Sequence, residues 1–383
     1  MAFSSHLGAA VGQRGRTGAP VTGEKVEAAV ATPYTATHAL EMAAANIPNP
    51  SKAHYGGEDA WFTLSNRGKG DSFAVADGVG GWGESDVNPG EYSALFVETA
   101  KSFMKECAKI GKSQGTKEFP LAIQAALNAG HQAARIPGST TACIAELQGD
   151  VLVCANVGDS GMIVARNGRV VQRTTPQQHF FDCPLQFGAY PEYVDATDDA
   201  SDAQILRTAV EAGDVIVMAS DGLWDNVYEE EVLELLPTSP KDVAGAAEAI
   251  ANLAFEHSQD EWWESPYCEN AIEEGLDLPW WEKLATFSFD EGRFELGKLR
   301  GGKQDDITVV VAYVKETPRG GVAGAVSGAK AMLGGGDEDG GGSAVPLGQE
   351  EEAAEEEAAP EAREWISRWR NAFTGATNGR RSG

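Results

Sequence analysis

Positive charge is scarce in this chain: Lys and Arg number 30 against 58 Asp and Glu, for a formal net charge of −28. A surface of that sign repels phosphate backbones, which excludes nucleic acid as a partner. Cysteine is sparse too. The five cysteines, Cys107, Cys143, Cys154, Cys183 and Cys268, form no Cys-x-x-Cys pair and leave one over under any full pairing. That pattern argues against a disulfide framework and fits buried thiols in a reducing compartment. Long apolar runs are missing as well: the longest, "ITVVVAYV" from Ile307, is strand-sized, whereas a membrane span needs about 20 residues. The chain is therefore not expected to cross a bilayer by itself. Histidine and thiolate ligands at spacings suited to zinc are also lacking.

What is present is 383 residues of which 42% are hydrophobic, enough to bury one large core or two modest ones without staples. Composition divides the chain into three. Residues 1–45 are rich in Ala, Thr and Gly, with Arg14 and Arg16 but no acid before Glu24. This reads as a transit-like or disordered segment with a short helix near Thr37 to Ala45. Residues 46–317 carry the folded domain. Residues 318–383 turn Gly- and Ala-rich, then acidic, and cannot bury enough to fold. At their end Trp365, Ile366, Trp369 and Phe373 recur at helical spacing beside Arg363, Arg368 and Arg370. A short amphipathic helix of that kind can touch a membrane surface or a partner groove, or fold back on the domain.

Within the domain, β-branched runs recur between turn residues: "WFTL", "SFAVA", "STTACIAEL", "VLVCANV", "GMIVAR", "DVIVMAS" and "ITVVVAYV". Three segments carry an apolar stripe at spacings of three and four, beginning at Glu91, Pro120 and Lys241. The helices fall between groups of strands rather than alternating with them. In "VLVCANVGDSGMIVARNGRVV" the strands read as hairpin-linked, with Asn167-Gly168 as a turn. The expected class is α+β with antiparallel sheets.

Acids stand at strand ends. Asp59 precedes "AWFTL", Asp77 follows "SFAVA", Asp221 follows "VIVMAS", and Asp306 opens "ITVVVAYV". Any one Asp-Gly is more often an ordinary turn, but four such acids in packed sheets can converge on one edge. Hard divalent cations, Mn²⁺ or Mg²⁺, favour oxygen ligands of this kind. Two such ions about 3.5–4 Å apart can activate a water and clamp a phosphoryl group for in-line attack.

The ordered set "GGEDAWF", "VADGVGGW", "GSTTACIAEL", "NVGDSG", "VIVMASDGLWDNV" and "GGKQDDITVVVAYV" resembles the metal-dependent type-2C protein serine/threonine phosphatases over residues 52–315. Within the family it is most similar to a branch of small organellar enzymes, with mitochondrial members and a chloroplast member acting on photosystem II core proteins. The resemblance implies a four-layer sandwich, two antiparallel sheets flanked by helices. It implies hydrolysis of phosphoserine and phosphothreonine in proteins, and a chloroplast location at the stroma or thylakoid surface, with the mitochondrion as the alternative. The chain is expected to act as a monomer.

Carried over by residue, the resemblance makes Asp77 the bridge between two metal ions. The Gly78 carbonyl binds one of them, while Asp221 and Asp306 complete the other. Asp59 sits behind these ligands or binds through water, with Glu58 beside it, and Gly80 and Gly81 allow close approach. Asp159, in "GDSG", is either structural or linked to the metals, and Asp225 is expected to hydrogen-bond its own loop rather than bind metal. Many relatives carry histidine where this chain has Val79, and arginine where it offers only Lys52 and His54 as contacts for the substrate phosphate. A surface or turn position is the simpler account of His54, and packing or a loop hydrogen bond accounts for His131 and His179. Trp262, Trp263, Trp280 and Trp281 bracket a segment that can contact substrate or cover the core.

Overall fold

The computed structural model describes residues 32–33, 37–80, 87–189, 198–278, 288–290, 293–295 and 298–317. Alternation along the strands builds the architecture. In β1 (His38–Ile47), β2 (Asp59–Leu64) and β3 (Ser72–Asp77), successive side chains point to opposite faces of a sheet. The same holds for β4 (Ala142–Gln148), β5 (Val151–Val157), β6 (Gly161–Arg166) and β7 (Arg169–Arg173). The last strands are β8 (Gln204–Ala209), β9 (Val215–Ala219) and β10 (Ile307–Glu316). One five-stranded sheet runs β8-β5-β4-β3-β2 and the other β7-β6-β9-β10-β1. Every neighbouring pair is antiparallel.

The sheets pack face to face. Phe73, Val75, Cys143 and Cys154 of the first meet Ile216, Met218, Val310 and Ala312 of the second. The intervening residues face outward onto helices. Ala74 and Ala76 lie under α1 (Pro89–Lys109) and α2 (Ala122–Ala133). Val217, Val309 and Val311 lie under α5 (Val243–Ser258). Three shorter helices, α3 (Asp221–Trp224), α4 (Glu229–Glu234) and α6 (Pro266–Glu273), complete the described set. The expected four-layer sandwich is what forms, with α1 starting where Asn88 accepts a hydrogen bond from the Gly90 amide and proline fills the first helical position.

Two expectations fail. The stretch from Thr37 to Ala45 is not a helix or a loose leader: His38–Ile47 is a ten-residue strand paired along its length with β10, from Glu316↔His38 to Ile307↔Ile47. A boundary at 45/46 would cut through it. Its alanines favour helix intrinsically, and pairing with a buried β-branched neighbour overrides that preference. The "VLVCANVGDSGMIVARNGRVV" run is a hairpin only in its second half, where Asn167 (φ 52°) and Gly168 (φ 72°) turn β6 into β7. Its first half crosses from one sheet to the other, since β5 and β6 belong to different sheets. The leader before residue 32, the tail with Trp365, Ile366, Trp369 and Phe373, and Gly81, Trp280 and Trp281 lie outside the described residues.

All five cysteines are free, and Cys183 alone is not buried. Burial pushes the Cys107 thiol up to about 12, with the first turn of the chain beyond α1 supplying only a weak hydrogen bond from its sulfur to the Gln114 carbonyl. No helix among the described residues is long and apolar enough to cross a membrane.

Candidate active site

The acids at the strand ends arrive at one edge of the sandwich because the strands that carry them are pinned by the core. Asp59 and Asp77 are cross-strand partners at the open end of the β2–β3 pair. The Asp77 backbone is held on both sides: its amide donates to Thr141 Oγ1 at 3.2 Å, and its carbonyl accepts from the Thr141 amide at 2.9 Å and Thr140 Oγ1 at 2.8 Å. Asp221 opens α3 directly after β9. Two glycines make the close packing possible. A Cβ on Gly78 would lie 2.7 Å from the Glu58 carbonyl oxygen, and one on Gly222 would lie 2.1 Å from that of Asp306.

A cavity of about 240 Å³ opens at this edge, lined by Asp77, Gly78, Asp159, Asp221, Asp305 and Lys303, with Lys52, Val79, Gly80 and Asp182 also on its wall. Asp306 is not among its lining residues. Its carboxylate is buried, and it turns to the preceding loop, where Oδ1 accepts from the Asn49 amide at 2.7 Å and Oδ2 from the Glu58 amide at 2.9 Å. Of the adjacent pair, Asp305 therefore faces the cavity, and Asp306 anchors the loop that delivers Glu58 and Asp59. Adjacent residues in extended chain face opposite ways, so a shift of one position exchanges a cavity-lining acid for a structural one.

The remaining expectations sort by position. Asp59 stands behind the cavity wall, where its Oδ2 accepts from Ser220 Oγ at 2.8 Å and its Oδ1 is buried without a partner. Glu58 does not line the cavity; it pairs with Lys52 at 2.5 Å and takes a hydrogen bond from the Tyr55 hydroxyl. Asp159 lines the cavity and accepts from Gln178 Nε2 at 3.1 Å. His54 is exposed beside the Ser51 carbonyl and does not line it, whereas Lys52 does. His131 meets the Gly188 carbonyl and the Phe187 ring, and His179 meets Asp198. Trp263 is absorbed locally: it stacks on His257 at 3.8 Å and donates to the Asn226 carbonyl. Trp262 is 75% exposed.

One participant carried no signal in the sequence. Lys303 of "GGKQDD" places its ammonium 2.6 Å from Asp221 and 2.8 Å from Asp225, within 3.2 Å of Asp182, and 5.1 Å from the centre of the Tyr267 ring. Asp225 therefore pairs with Lys303 through its side chain, rather than serving only its own loop.

Electrostatics mark the cavity as a place of crowded negative charge that Lys52 and Lys303 offset only in part. Burial, joined by the charges of Asp59, Asp221 and Asp305, holds the Asp77 carboxyl well above the ordinary range. Burial pushes Asp305 up to about 6, Asp59 and Asp159 up to about 7, and Asp225 up to about 8. Asp221 goes the other way. Burial opposes its charge, but the Lys303 ammonium and a hydrogen bond shared with Asp77 hold it below the usual value. Both lysines are raised in turn, against burial, by the acids around them.

These residues suit divalent cations. The donors are all oxygens, Asp221 Oδ1 and Asp59 Oδ1 are buried without hydrogen bonds, and the acids raise one another's pKa in a way that a cation relieves. Among the described residues no three acidic, histidine or cysteine side chains are drawn into a ready coordination shell. The two lysines hold Asp221, Asp225 and Asp305, and the carboxylates otherwise repel one another.

Comparison with known proteins gives a consistent result. The family model described as protein phosphatase 2C matches residues 54–254. The chain is similar to "Probable protein phosphatase 2C 1" of Oryza sativa subsp. japonica, 41% identical over 270 residues, covering 70% of this chain and 73% of that protein. It is also similar to "Probable protein phosphatase 2C 26" of Arabidopsis thaliana, 39% identical over 273 residues, covering 70% and 81%. Among solved structures, the X-ray structure of the photosystem II phosphatase PBCP superposes with a TM-score of 0.62 at 38% identity, covering 72% of this chain and 99% of that one.

Proposed function

The chain belongs to the protein phosphatase 2C family, and from that premise we propose that it is a two-metal phosphatase removing phosphate from phosphothreonine and phosphoserine on photosystem II core proteins in a chloroplast. The observation that carries the catalytic part is the gathering of Asp77, Asp221 and Asp305 around one cavity with the Gly78 backbone. The likeness to the photosystem II phosphatase PBCP supports the substrate and the compartment.

Asp77, the Gly78 carbonyl, Asp221 and Asp305 would hold two Mn²⁺ or Mg²⁺ ions, which when bound supply Lewis acidity that lowers the pKa of a water and draws charge from the phosphoryl oxygens. The protein's own groups do the rest. Asp59 and Ser220 fix the wall behind Asp77 and Asp221, because Ser220 Oγ donates to Asp59 and its backbone directly precedes Asp221. Lys52, on the cavity wall, offers an ammonium to the substrate phosphate. Water adds to phosphorus as the ester P–O bond breaks, and its protons are shared between the departing serine or threonine hydroxyl and inorganic phosphate. Val79 has no titratable group, so the proton for the departing oxygen would have to come from water or from another residue of the cavity.

The test is hydrolysis of a phosphothreonine peptide by purified protein with Mn²⁺ or Mg²⁺, compared with Asp77→Asn and Asp221→Asn. Phosphate release that vanishes in both variants supports the reading. A wild type inert with both ions that still binds the peptide would leave a silent phosphopeptide-binding module in its place. For the compartment, a fluorescently tagged chain is expected to coincide with chlorophyll emission, and mitochondrial fluorescence would overturn that part.

A further inference from the structure

Beside the acidic cavity lies a second one of about 480 Å³, twice as large and of different chemistry. Asp159 lines both, so the two spaces adjoin at one side chain. The floor of the larger space is apolar. It is formed by Ile163 and Val227, both buried within the core that packs under α5, beside the Trp224 ring. The one polar atom of that ring is already committed, since Trp224 Nε1 donates to the Ala219 carbonyl at 3.2 Å. Gly161 keeps the floor open: a Cβ there would come within 2.9 Å of Thr174 Oγ1 and 3.2 Å of Trp224 Nε1. Thr175 forms an exposed lip; Arg173 and Glu229 on the same wall pair with each other at 2.8 Å, which leaves exposed Glu230, with no ion-pair partner among the described residues, as the unbalanced charge there.

We infer that this groove is the subsite for the polypeptide flanking the phosphorylated residue, taking a bulky apolar side chain next to it and favouring a basic neighbour against Glu230. The inference rests on the phosphatase reading and deepens it. A phosphate seated among Asp77, Asp221 and Lys52 leaves the rest of an extended peptide, which advances about 3.3 Å per residue, to run past Asp159 into the groove. An apolar floor beside a charged cavity separates the two demands that a protein phosphatase faces. The cavity recognises phosphate, which every substrate carries, and the groove recognises sequence, which differs between substrates.

The experiment compares kcat/KM for phosphothreonine peptides that carry Leu or Ala at each of the three positions on either side, with p-nitrophenyl phosphate as a substrate that has no peptide. In the wild type, Leu at one or more positions is expected to raise kcat/KM about 10-fold over Ala, the scale of one apolar side chain in a pocket. Thr175→Trp, at an exposed position outside the acidic cavity, should remove that preference while turnover of p-nitrophenyl phosphate stays within about twofold. Glu230→Lys should lower kcat/KM selectively for peptides with Lys near the phosphothreonine and raise it for those with Glu. A melting temperature within a few degrees of wild type confirms that both variants fold. Equal rates for Leu and Ala peptides at every position, or a preference that survives Thr175→Trp, would overturn the inference while leaving the phosphatase reading intact. Failure of the wild type to hydrolyse any of these peptides or p-nitrophenyl phosphate would instead remove the phosphatase reading and the inference with it.

Discussion

The space between the two sheets and the cavity at their edge are furnished by the same strands in opposite ways. β3 gives Phe73 and Val75 to the inter-sheet core and ends on Asp77. β9 gives Ile216 and Met218 and is followed by Asp221. β10 gives Val310 and Ala312 and is preceded by Asp305. Inside, contacts are apolar and each side chain stabilises the fold by being removed from water. At the edge, carboxylates are crowded against one another, and all but Asp221, which Lys303 holds, are disfavoured by burial and by their neighbours. The core sets positions that the acids by themselves would not hold, so the acidic edge depends on stability generated elsewhere.

Substitutions on the two sides should therefore separate activity from stability. The largest effect is expected from Asp77→Asn, which should lower kcat on a phosphopeptide by on the order of 10³-fold. The same variant should melt no lower than wild type in the absence of metal, because it removes a buried charge that Asp59, Asp221 and Asp305 repel. A metal-free melting temperature well below wild type would break the comparison. Phe73→Ala, in the inter-sheet core, should do the reverse and cost about 3–5 kcal/mol of unfolding free energy, measured by denaturant titration. Per folded molecule its kcat should stay near normal.

Asp305 and Asp306 sharpen the contrast to a single peptide bond. Asp306→Ala strips two buried backbone amides of their acceptor and should cost about 2 kcal/mol of stability. Asp305→Asn should leave stability unchanged or raised while lowering phosphatase activity, and the opposite pattern would restore Asp306 to the catalytic set.

The smallest expected effect is on pH dependence. Burial raises Asp305, Asp59, Asp159 and Asp225 from 3.8 to between about 6 and about 8, so over that window the folded protein holds more protons than the unfolded chain. Stability contributed by such raised groups is present at low pH and lost as pH rises. Metal-free protein should melt a few degrees lower at pH 8 than at pH 6, with saturating Mn²⁺ reducing the difference. A melting temperature that rises with pH would refute the crowding of charge at the edge.

Much of this was legible in the chain because buried strands advertise themselves. Runs such as "SFAVA" and "ITVVVAYV" are β-branched and bounded by turn residues, and the acids at their ends follow from where the runs stop. β1 was not legible: "HALEMAAANI" has no alternation and little β-branching, and only its long-range partner makes it a strand. The choice between Asp305 and Asp306 was not legible either, since two identical residues in sequence differ only in which way the extended backbone turns them. Lys303 escaped notice for a related reason. A single lysine between glycines and acids looks solvated until tertiary structure surrounds it with Asp182, Asp221 and Asp225.

The ten-residue pairing of β1 with β10 also bears on how the protein can be shortened. A version trimmed to begin near residue 48 would keep every acid of the cavity yet leave a row of unpaired amides and carbonyls along β10. Such a margin is a template for self-association, so careless truncation would be met first as clumping and only afterwards as lost catalysis.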